Sequence, residues 1–233
     1  MKRLLRTLAI AGWALLLACG PATAQISPRV AAKEVTRGEL ALLPEWCIDS
    51  QDGPYGSPEG GEYINKSPRA REWVGLMGRD FWHMHHYCRG LRDLIRLSGG
   101  VLNPRERTFL LGRAVDEFNY VIDNCQASMP LLPEVFLKRG EIQSQQGDLV
   151  NAMDSFDAAR KLKPDYWPAY ERWVVLLVGL KQYERAAALV DEALAASPDQ
   201  PNLVAQRKAI QAAQRAPQRP VRAVAAASSG AAR

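Results

Sequence analysis

The C-terminal half of this chain repeats itself with a period of about 34 residues, and a fixed period of this size limits the fold to arrays of small repeated units. The repeated positions carry small or apolar residues and a closing proline. They are Ala152, Phe156, Ala159 and Pro164, followed one period later by Ala186, Val190, Ala193 and Pro198. The pattern divides the region into two units, residues 133–166 and residues 167–200.

The first unit carries the residues expected of two helices that cross at a small side chain. Phe136 occupies a large aromatic position, Gly140 leaves room where the helices cross, and Gly147 stands at the turn between them. Asp148 follows the turn, where its side chain can cap the second helix. The unit is therefore predicted to be a helix, a turn and a second helix.

The second unit keeps the pattern in its second helix and departs from it in its first. Tyr170 occupies the aromatic position, but Val174 replaces the small residue and Lys181 replaces the turn glycine. Another helical pattern follows. We predict that residues 201–214 form the polar capping helix that an open repeat stack needs.

This spacing and residue choice resemble the tetratricopeptide repeat (TPR) family, and in particular exported bacterial TPR proteins. The resemblance covers residues 131–200. It implies an interaction module without enzymatic activity or a cofactor. We therefore predict an all-α fold, a TPR-like helix-turn-helix stack with a loop-rich N-terminal segment at residues 25–68. Residues 215–233 are predicted to be a disordered basic tail, because their composition cannot bury enough apolar surface to fold.

The resemblance also implies where a ligand binds, because the family's groove is lined by residues two, five and nine of the first helix in each unit. The corresponding positions here are Glu134, Leu137, Glu141, Pro168, Glu171 and Val175. This lining lacks the Lys and Asn side chains that grip a C-terminal carboxylate in chaperone-binding members of the family. A basic or apolar segment of another protein is the favoured partner.

Residues 69–130 are also predicted to be helical, with one helix near residues 80–97 and another near 104–126. On a helical wheel the first of them has one broad apolar face. The opposite face carries Arg89, Arg92, Asp93 and Arg96. Pro130 lies one full period before the proline that closes the first unit, which makes the pair a possible degenerate repeat. Its small residues do not align in that register.

A disulfide is predicted to attach the loop-rich segment to the helices that follow it. Residues 50–61 are turn-forming almost throughout and are predicted to form neither helix nor strand. An oxidising compartment favours pairing among Cys47, Cys88 and Cys125. We prefer a Cys47–Cys88 disulfide, which joins the segment to a helix, and a Cys88–Cys125 bridge is the main alternative.

The chain begins with the pattern of a secretory signal peptide at residues 1–24. A basic start is followed by a short apolar run and by the small-residue sequence Ala22-Thr23-Ala24, so cleavage after Ala24 and export to the periplasm are predicted. The alternative is cleavage before Cys19, where the preceding residues resemble a lipobox. That cut would leave a lipidated cysteine in the outer membrane.

The formal net charge of +5 does not describe the part of the chain that is predicted to fold. Three basic residues lie in residues 1–24 and six in residues 202–233, with no acidic residue in either stretch. Residues 25–201 therefore carry 21 basic and 25 acidic side chains. A mildly acidic body excludes the electrostatic pattern of nucleic-acid binding. The basic tail and a lipidated Cys19 are candidate contacts with a membrane surface.

All three histidines lie on one predicted helix, as His83, His85 and His86, and Cys88 follows them. Helical spacing pairs the first with the third and the second with the cysteine, but two ligands do not complete a zinc site. The favoured interpretation is structural, with the first two histidines flanking the apolar face and His86 facing solvent or a neighbouring loop. The alternative is a metal- or haem-handling site.

The function that we expect from the sequence is that of an exported scaffold or adaptor in a Gram-negative cell envelope. By analogy with exported TPR proteins, its context is the assembly of pili, secretion machinery, the outer membrane or exported polysaccharide. Its partner is expected to be a segment of another envelope protein. The alternative is a periplasmic metal- or haem-handling protein that uses the histidine helix.

Overall fold

The computed structural model describes residues 25–50, 56–59, 62–65 and 67–215. Residues 1–24, with the predicted signal peptide and Cys19, and the tail beyond residue 215 lie outside the described residues. The helices run, in chain order, as α1 Pro28–Ala31, α2 Arg37–Leu40, α3 Ala70–Met77, α4 Met84–Ser98, α5 Pro104–Asn124, α6 Leu132–Gln146, α7 Leu149–Leu162, α8 Trp167–Gly179, α9 Tyr183–Ala196 and α10 Pro201–Arg215. Short 3₁₀ helices occur at Glu45–Cys47 and Gly78–His83. The predicted all-α, repeat-like stack is confirmed.

One short β-hairpin interrupts the helices. Strand β1 (Gly56–Glu59) pairs antiparallel with β2 (Glu62–Asn65), with Gly56 opposite Asn65 and Glu59 opposite Glu62. The expectation that residues 50–61 form no strand is therefore wrong for Gly56–Glu59. This strand could not be recognised from the sequence, because a stretch rich in glycine and proline shows neither apolar alternation nor β-branched residues.

The α6/α7 pair is held together at a glycine. A methyl group added to Gly140 would lie 2.6 Å from Cε1 of Phe156, so the ring packs directly on the backbone of α6. Gly147 ends α6 in the left-handed conformation, with φ of 80°. Asp148 then caps α7, where its side chain accepts a hydrogen bond from the Asn151 amide. The turn between α6 and α7 therefore has the geometry that Gly147 and Asp148 predict.

The α8/α9 pair makes the same crossing with different side chains. Val174 and Val190 are buried where the first unit has a glycine and a phenylalanine. The turn between the helices retains the left-handed geometry, because Lys181 has φ of 59°. Lys181 is the one non-glycine residue with positive φ among the described residues.

We expect the substitution Lys181→Gly to raise the free energy of unfolding by about 0.5–1 kcal/mol. A side chain is strained in the left-handed region, and glycine relieves that strain at the end of a helix. Chemical denaturation monitored by circular dichroism measures the change. Gly147→Lys at the equivalent turn is the control and should be destabilising. A neutral or destabilising Lys181→Gly variant would contradict the interpretation.

The α4/α5 pair packs around the same kind of glycine–phenylalanine contact as the α6/α7 pair. A methyl group on Gly90 would lie 2.5 Å from Cε1 of Phe118, and Ala114 is buried one turn before that ring. Gly90 and Phe118 are farther apart in sequence than Gly140 and Phe156. Because α4 and α5 meet with a longer stretch of chain between the contacting residues, a fixed period does not align their small residues with those of the later units.

The polar face of α4 is buried, which corrects the simplest interpretation of the helical wheel. Arg92 and Asp93 are fully buried and Arg96 is nearly so. The segment that contains α1 and α2 lies across them. Nε of Arg96 donates to Oε1 of Glu39 on α2 at 2.6 Å, and its other nitrogens donate to the carbonyls of Ala32 and Glu34.

Asp93 lies at the centre of this contact. Its carboxylate accepts hydrogen bonds from Nε of Arg92 at 2.8 Å and from Nε and Nη2 of Arg113 on α5, both at 2.6 Å. Arg92 and Arg113 in turn donate to backbone carbonyls of the N-terminal segment, at Lys33 and at residues 30–32. We call Arg92, Asp93, Arg96 and Arg113 the arginine clasp. It fastens the loop-rich segment by charge as well as by packing.

Candidate functional site

The first helices of the successive pairs lie side by side, and a polar contact joins each neighbour to the next. The Tyr87 hydroxyl of α4 donates to Oε1 of Glu134 on α6 at 2.6 Å. Nε of Arg172 on α8 lies 2.8 Å from Oε1 of Glu141 on α6. Nδ2 of Asn202 on α10 donates to Oε1 of Glu171 on α8 at 3.2 Å. The three acidic residues of the predicted groove thus lie at the helix junctions.

Two of the predicted groove residues serve the interior of the stack. Glu134 holds the buried phenol of Tyr87, whose pKa is raised by burial and then by this carboxylate. Tyr87 therefore remains a hydrogen-bond donor at neutral pH. Leu137 is only 5% exposed and packs with Ala152 and Phe156, so it contributes to the core instead of lining an open groove.

Two further groove residues, Glu141 and Val175, line an open depression that we call the α6–α8 pocket. Its volume is about 520 Å³. It is lined by Glu141, Ser144, Gln145, Leu149, Phe156, Arg172, Val175, Leu176, Gly179 and Leu180. Val175 is 54% exposed, and the Glu141–Arg172 ion pair lies at the edge. The pocket can accept an apolar side chain beside a charged or polar one.

A second depression, the α8–α10 pocket, shares Val175 with the first. Its volume is about 180 Å³, and its lining is Val174, Val175, Val178, Gln206, Ala209, Ile210 and Ala213. The helix predicted only as a polar cap thus supplies one wall of an apolar site. Sequence reasoning missed these residues because the family positions concern the first helix of each unit. Ala209 and Ala213, which lie one helical turn apart on α10, were the available signal.

The family comparison matches the part of the chain that contains these pockets. The family model described as "Tetratricopeptide repeat" matches residues 144–210. The matched segment resembles the TPR family and makes up less than one third of the chain. Among solved structures, it is similar to the "First TPR of Spaghetti (RPAP3) bound to HSP90 peptide SRMEEVD", at 18% identity and a TM-score of 0.40. That match covers 54% of this chain and 94% of the other. No curated protein matches the sequence significantly.

Pro168 and Glu171 complete the set of groove positions transferred from the TPR family. Pro168 lies in the first turn of α8, where a missing N–H group costs no helical hydrogen bond. Glu171 lies one turn before Val175 and belongs to the junction with α10. The structure therefore brings Glu141 and Val175 together at the α6–α8 pocket and places Glu171 beside the α8–α10 pocket.

The three histidines pack between α4 and α5. Nδ1 of His86 lies 2.6 Å from Oε2 of Glu117, and its ring stacks on Tyr120 with centroids 3.5 Å apart. His86 therefore contacts a neighbouring helix instead of facing solvent or a loop. Nδ1 of His85 lies 2.9 Å from the carbonyl oxygen of Trp82. Burial, followed by the charges of His86 and Arg89, lowers the pKa of His85 to about 3.

The cysteine candidate for metal binding is occupied by a disulfide. Cys88 is bonded to Cys47, with Cα atoms 5.8 Å apart, so it offers no thiolate. No group of three or more His, Cys, Asp and Glu side chains within the described residues is arranged to hold a metal ion. Cys125 is a free cysteine, and burial, with Asp80 second, raises its pKa to about 12. The alternative Cys88–Cys125 bridge is not formed.

In the part of the chain that the structure describes, no helix is both long and apolar enough to cross a membrane.

We expect the protein to lose stability as pH falls below about 6.5, because His85 stays neutral when folded and accepts a proton when unfolded. Above the unfolded pKa both states are neutral and His85 contributes nothing. Between that pKa and the folded value of about 3, the penalty grows by about 1.4 kcal/mol per pH unit. His85→Gln should remove about 2–3 kcal/mol of the loss between pH 7 and pH 4.5.

Urea unfolding at both pH values measures this difference. His83→Gln, two residues earlier in the chain, is the matched control and should retain the wild-type pH dependence. If the wild-type and His85→Gln curves run parallel, His85 is not the group that links stability to pH.

Proposed function

We propose that this protein is an exported TPR scaffold or adaptor of a Gram-negative cell envelope that binds a segment of another envelope protein. Assembly of pili, secretion machinery, the outer membrane or exported polysaccharide is the proposed context. The TPR-like helix pairs support the interaction role, because they present side-by-side helices with open pockets.

The proposed location is supported by the sequence and by the chemistry of the cysteines. Residues 1–24 have the basic, apolar and small-residue order of a signal peptide. The Cys47–Cys88 disulfide agrees with an oxidising compartment such as the periplasm. Both observations favour export, and neither depends on the identity of the partner.

The observation that carries the proposed binding role is the α6–α8 pocket. Its walls are largely apolar, and Val175 presents more than half of its surface to solvent. Apolar surface exposed in a concave site is the usual basis of peptide anchoring. The nearby Glu141 is already paired with Lys138 at 3.2 Å and with Arg172, so an apolar anchor is favoured over a purely basic one.

The test of the binding role is capture of envelope proteins by full-length protein carrying Val175→Lys. This change places a charge in the apolar pocket and should reduce recovery of the specific partner at least about tenfold, since it removes a central contact. Val150→Lys is the matched control, because Val150 is similarly exposed but lies on α7 outside the pocket. Equal recovery with both variants would exclude this pocket as the site.

The location is tested by mass spectrometry of the N-terminus of protein recovered from its native cells. Export with cleavage after Ala24 gives an N-terminal Gln25. A lipidated Cys19 gives the alternative, outer-membrane form of the same proposal. An uncleaved Met1 in the cytoplasmic fraction would overturn export and would leave the binding role to stand on the pocket experiment.

A further inference from the structure

The two pockets that border α8 lie side by side. Val175 lines both of them, with the α6–α8 pocket on one side of α8 and the α8–α10 pocket on the other. The axes of packed helices are about 8–10 Å apart, so the two pockets are separated by about the same distance. Their volumes are about 520 Å³ and 180 Å³. This face can therefore receive two apolar side chains of different size from one segment.

The smaller pocket also contains a buried hydrogen-bond acceptor. Nε2 of Gln206 on α10 donates to the backbone carbonyl of Glu171 at 3.3 Å. Its Oε1 is buried and accepts no hydrogen bond from any residue that the structure describes. An unpaired buried acceptor is costly. A segment that donates an N–H group to this oxygen would remove a cost that the unbound protein carries.

This acceptor favours an extended partner over a helical one. In an α-helix the backbone N–H groups donate to carbonyls of the same helix, whereas a polyproline-II segment makes no internal hydrogen bonds and keeps its N–H groups available. Such a segment has three residues per turn and rises about 3.1 Å per residue, so every third residue faces the same side at a spacing of about 9 Å. That spacing matches the distance between the two pockets.

The two pockets differ in the charge that they favour. At the larger pocket, Glu141 is already paired with Lys138 and Arg172. Beside the smaller pocket, the carboxylate of Glu171 accepts a hydrogen bond from the neutral amide of Asn202. A cation placed next to this carboxylate would add a charge-assisted contact. A basic residue is therefore favoured next to the side chain that enters the smaller pocket.

We propose that Gln206 and Glu171 determine the specificity of this face for a polyproline-II segment of a partner protein. The segment carries two aliphatic residues three positions apart, one in each pocket, and an arginine or lysine next to the one in the α8–α10 pocket. One of its N–H groups donates to Oε1 of Gln206, and the cation lies beside Glu171. This inference rests on the proposed binding role and specifies the chemistry of the partner.

The spacing is tested with fluorescein-labelled peptides and the full chain. The probes are Ala-Leu-Pro-Arg-Val-Ala and Ala-Val-Arg-Pro-Leu-Ala, which present the same anchors in the two chain directions. One of them should bind several times more tightly than the control Ala-Leu-Val-Pro-Arg-Ala, in which the aliphatic residues are adjacent. Fluorescence anisotropy measures the affinities. Equal affinities for all three peptides, or no binding of either probe, would overturn the proposal.

The acceptor is tested with Gln206→Met, because methionine has a similar length and no amide oxygen. This change should weaken binding of the better probe several-fold. Gln211→Met, the same change at an exposed site of α10 outside the pocket, should not. Circular dichroism checks that both variants are folded. An unchanged affinity of Gln206→Met for the probe would overturn the assigned hydrogen bond.

The cation is tested by a paired exchange. Replacing the arginine of the better probe with glutamine should weaken binding to the wild type several-fold and leave binding to Glu171→Gln unchanged. Glu184→Gln, an exposed change on α9, is the matched control and should keep the wild-type preference for arginine. If Glu171→Gln keeps that preference as well, the cation does not lie beside Glu171.

These results are distinguishable from the test of the proposed function. If a probe binds as expected but no envelope protein is captured, the envelope role fails and the specificity stands. If Val175→Lys abolishes capture while Gln206→Met and Glu171→Gln leave probe binding unchanged, the binding role stands and the specificity fails. A dimer in sedimentation that Val175→Lys dissociates would mean that a second copy occupies this face, and would also overturn the proposal.

Discussion

Replacing Asp93 with alanine should lower the free energy of unfolding of the protein by about 3–5 kcal/mol. Asp93 is fully buried and accepts hydrogen bonds from Arg92 and from two nitrogens of the Arg113 guanidinium. Without the carboxylate, two arginines remain next to each other with no compensating charge. Removing one member of a buried charged network costs more than the network itself contributes, because the remaining charges stay desolvated.

Urea denaturation at pH 7 measures this effect. Asp116→Ala removes an exposed carboxylate of α5 and should change the free energy of unfolding by less than about 0.5 kcal/mol. Asp93→Asn, which keeps the shape but loses the charge, should lie between the two. A loss below about 1 kcal/mol for Asp93→Ala, the size of an ordinary substitution, would show that the arginine clasp does not fasten the N-terminal segment.

The arginine clasp also shows where sequence patterns stop being informative. The helical wheel separates the apolar and polar faces of α4 correctly, because helical period depends only on neighbours along the chain. It does not reveal that the polar face is covered, since the covering segment lies far upstream in the sequence and has no period of its own. Burial of Arg92 and Asp93 is therefore visible only in three dimensions.

In the repeat units, too, some contacts can be predicted from the sequence pattern and others cannot. Residues that act within one unit, such as Gly140 and Gly147, indicate their roles because the spacing between them is fixed by the helix-turn-helix geometry. The Gly90–Phe118 contact uses the same geometry but escapes a fixed period, because its two residues are farther apart along the chain. Side chains that meet across a unit boundary are not indicated by the pattern of any single unit.

The candidate site could likewise be predicted from the sequence only in part. Family positions place Glu141 and Val175 at the α6–α8 pocket. They do not show that Leu137 is buried or that Arg172 pairs with Glu141. The second pocket depends on how α10 packs against α8, and the relevant side chains of α10 lie outside the repeat pattern. A groove can thus be located by resemblance, while its available chemistry requires the packed structure.

Removing the disulfide, with Cys47→Ala and Cys88→Ala together, should lower the free energy of unfolding by about 4 kcal/mol in the chain-entropy account of a loop of this length. The two cysteines are 41 residues apart in sequence. The bridge limits the conformations of the unfolded chain, whereas the arginine clasp acts in the folded state. Cys125→Ala, which removes the free thiol, is the control and should cost less than the double change.

Because the two fastenings act on different states, the disulfide-free protein should keep its N-terminal segment in place. Limited trypsin digestion, which cuts after Lys33 and Arg37 when that segment detaches, distinguishes the cases. The Cys47→Ala/Cys88→Ala protein should resist cleavage there as the wild type does, and adding Asp93→Ala should make those bonds the first to be cut. Rapid cleavage of the disulfide-free protein with Asp93 intact would mean that the bridge alone holds the segment.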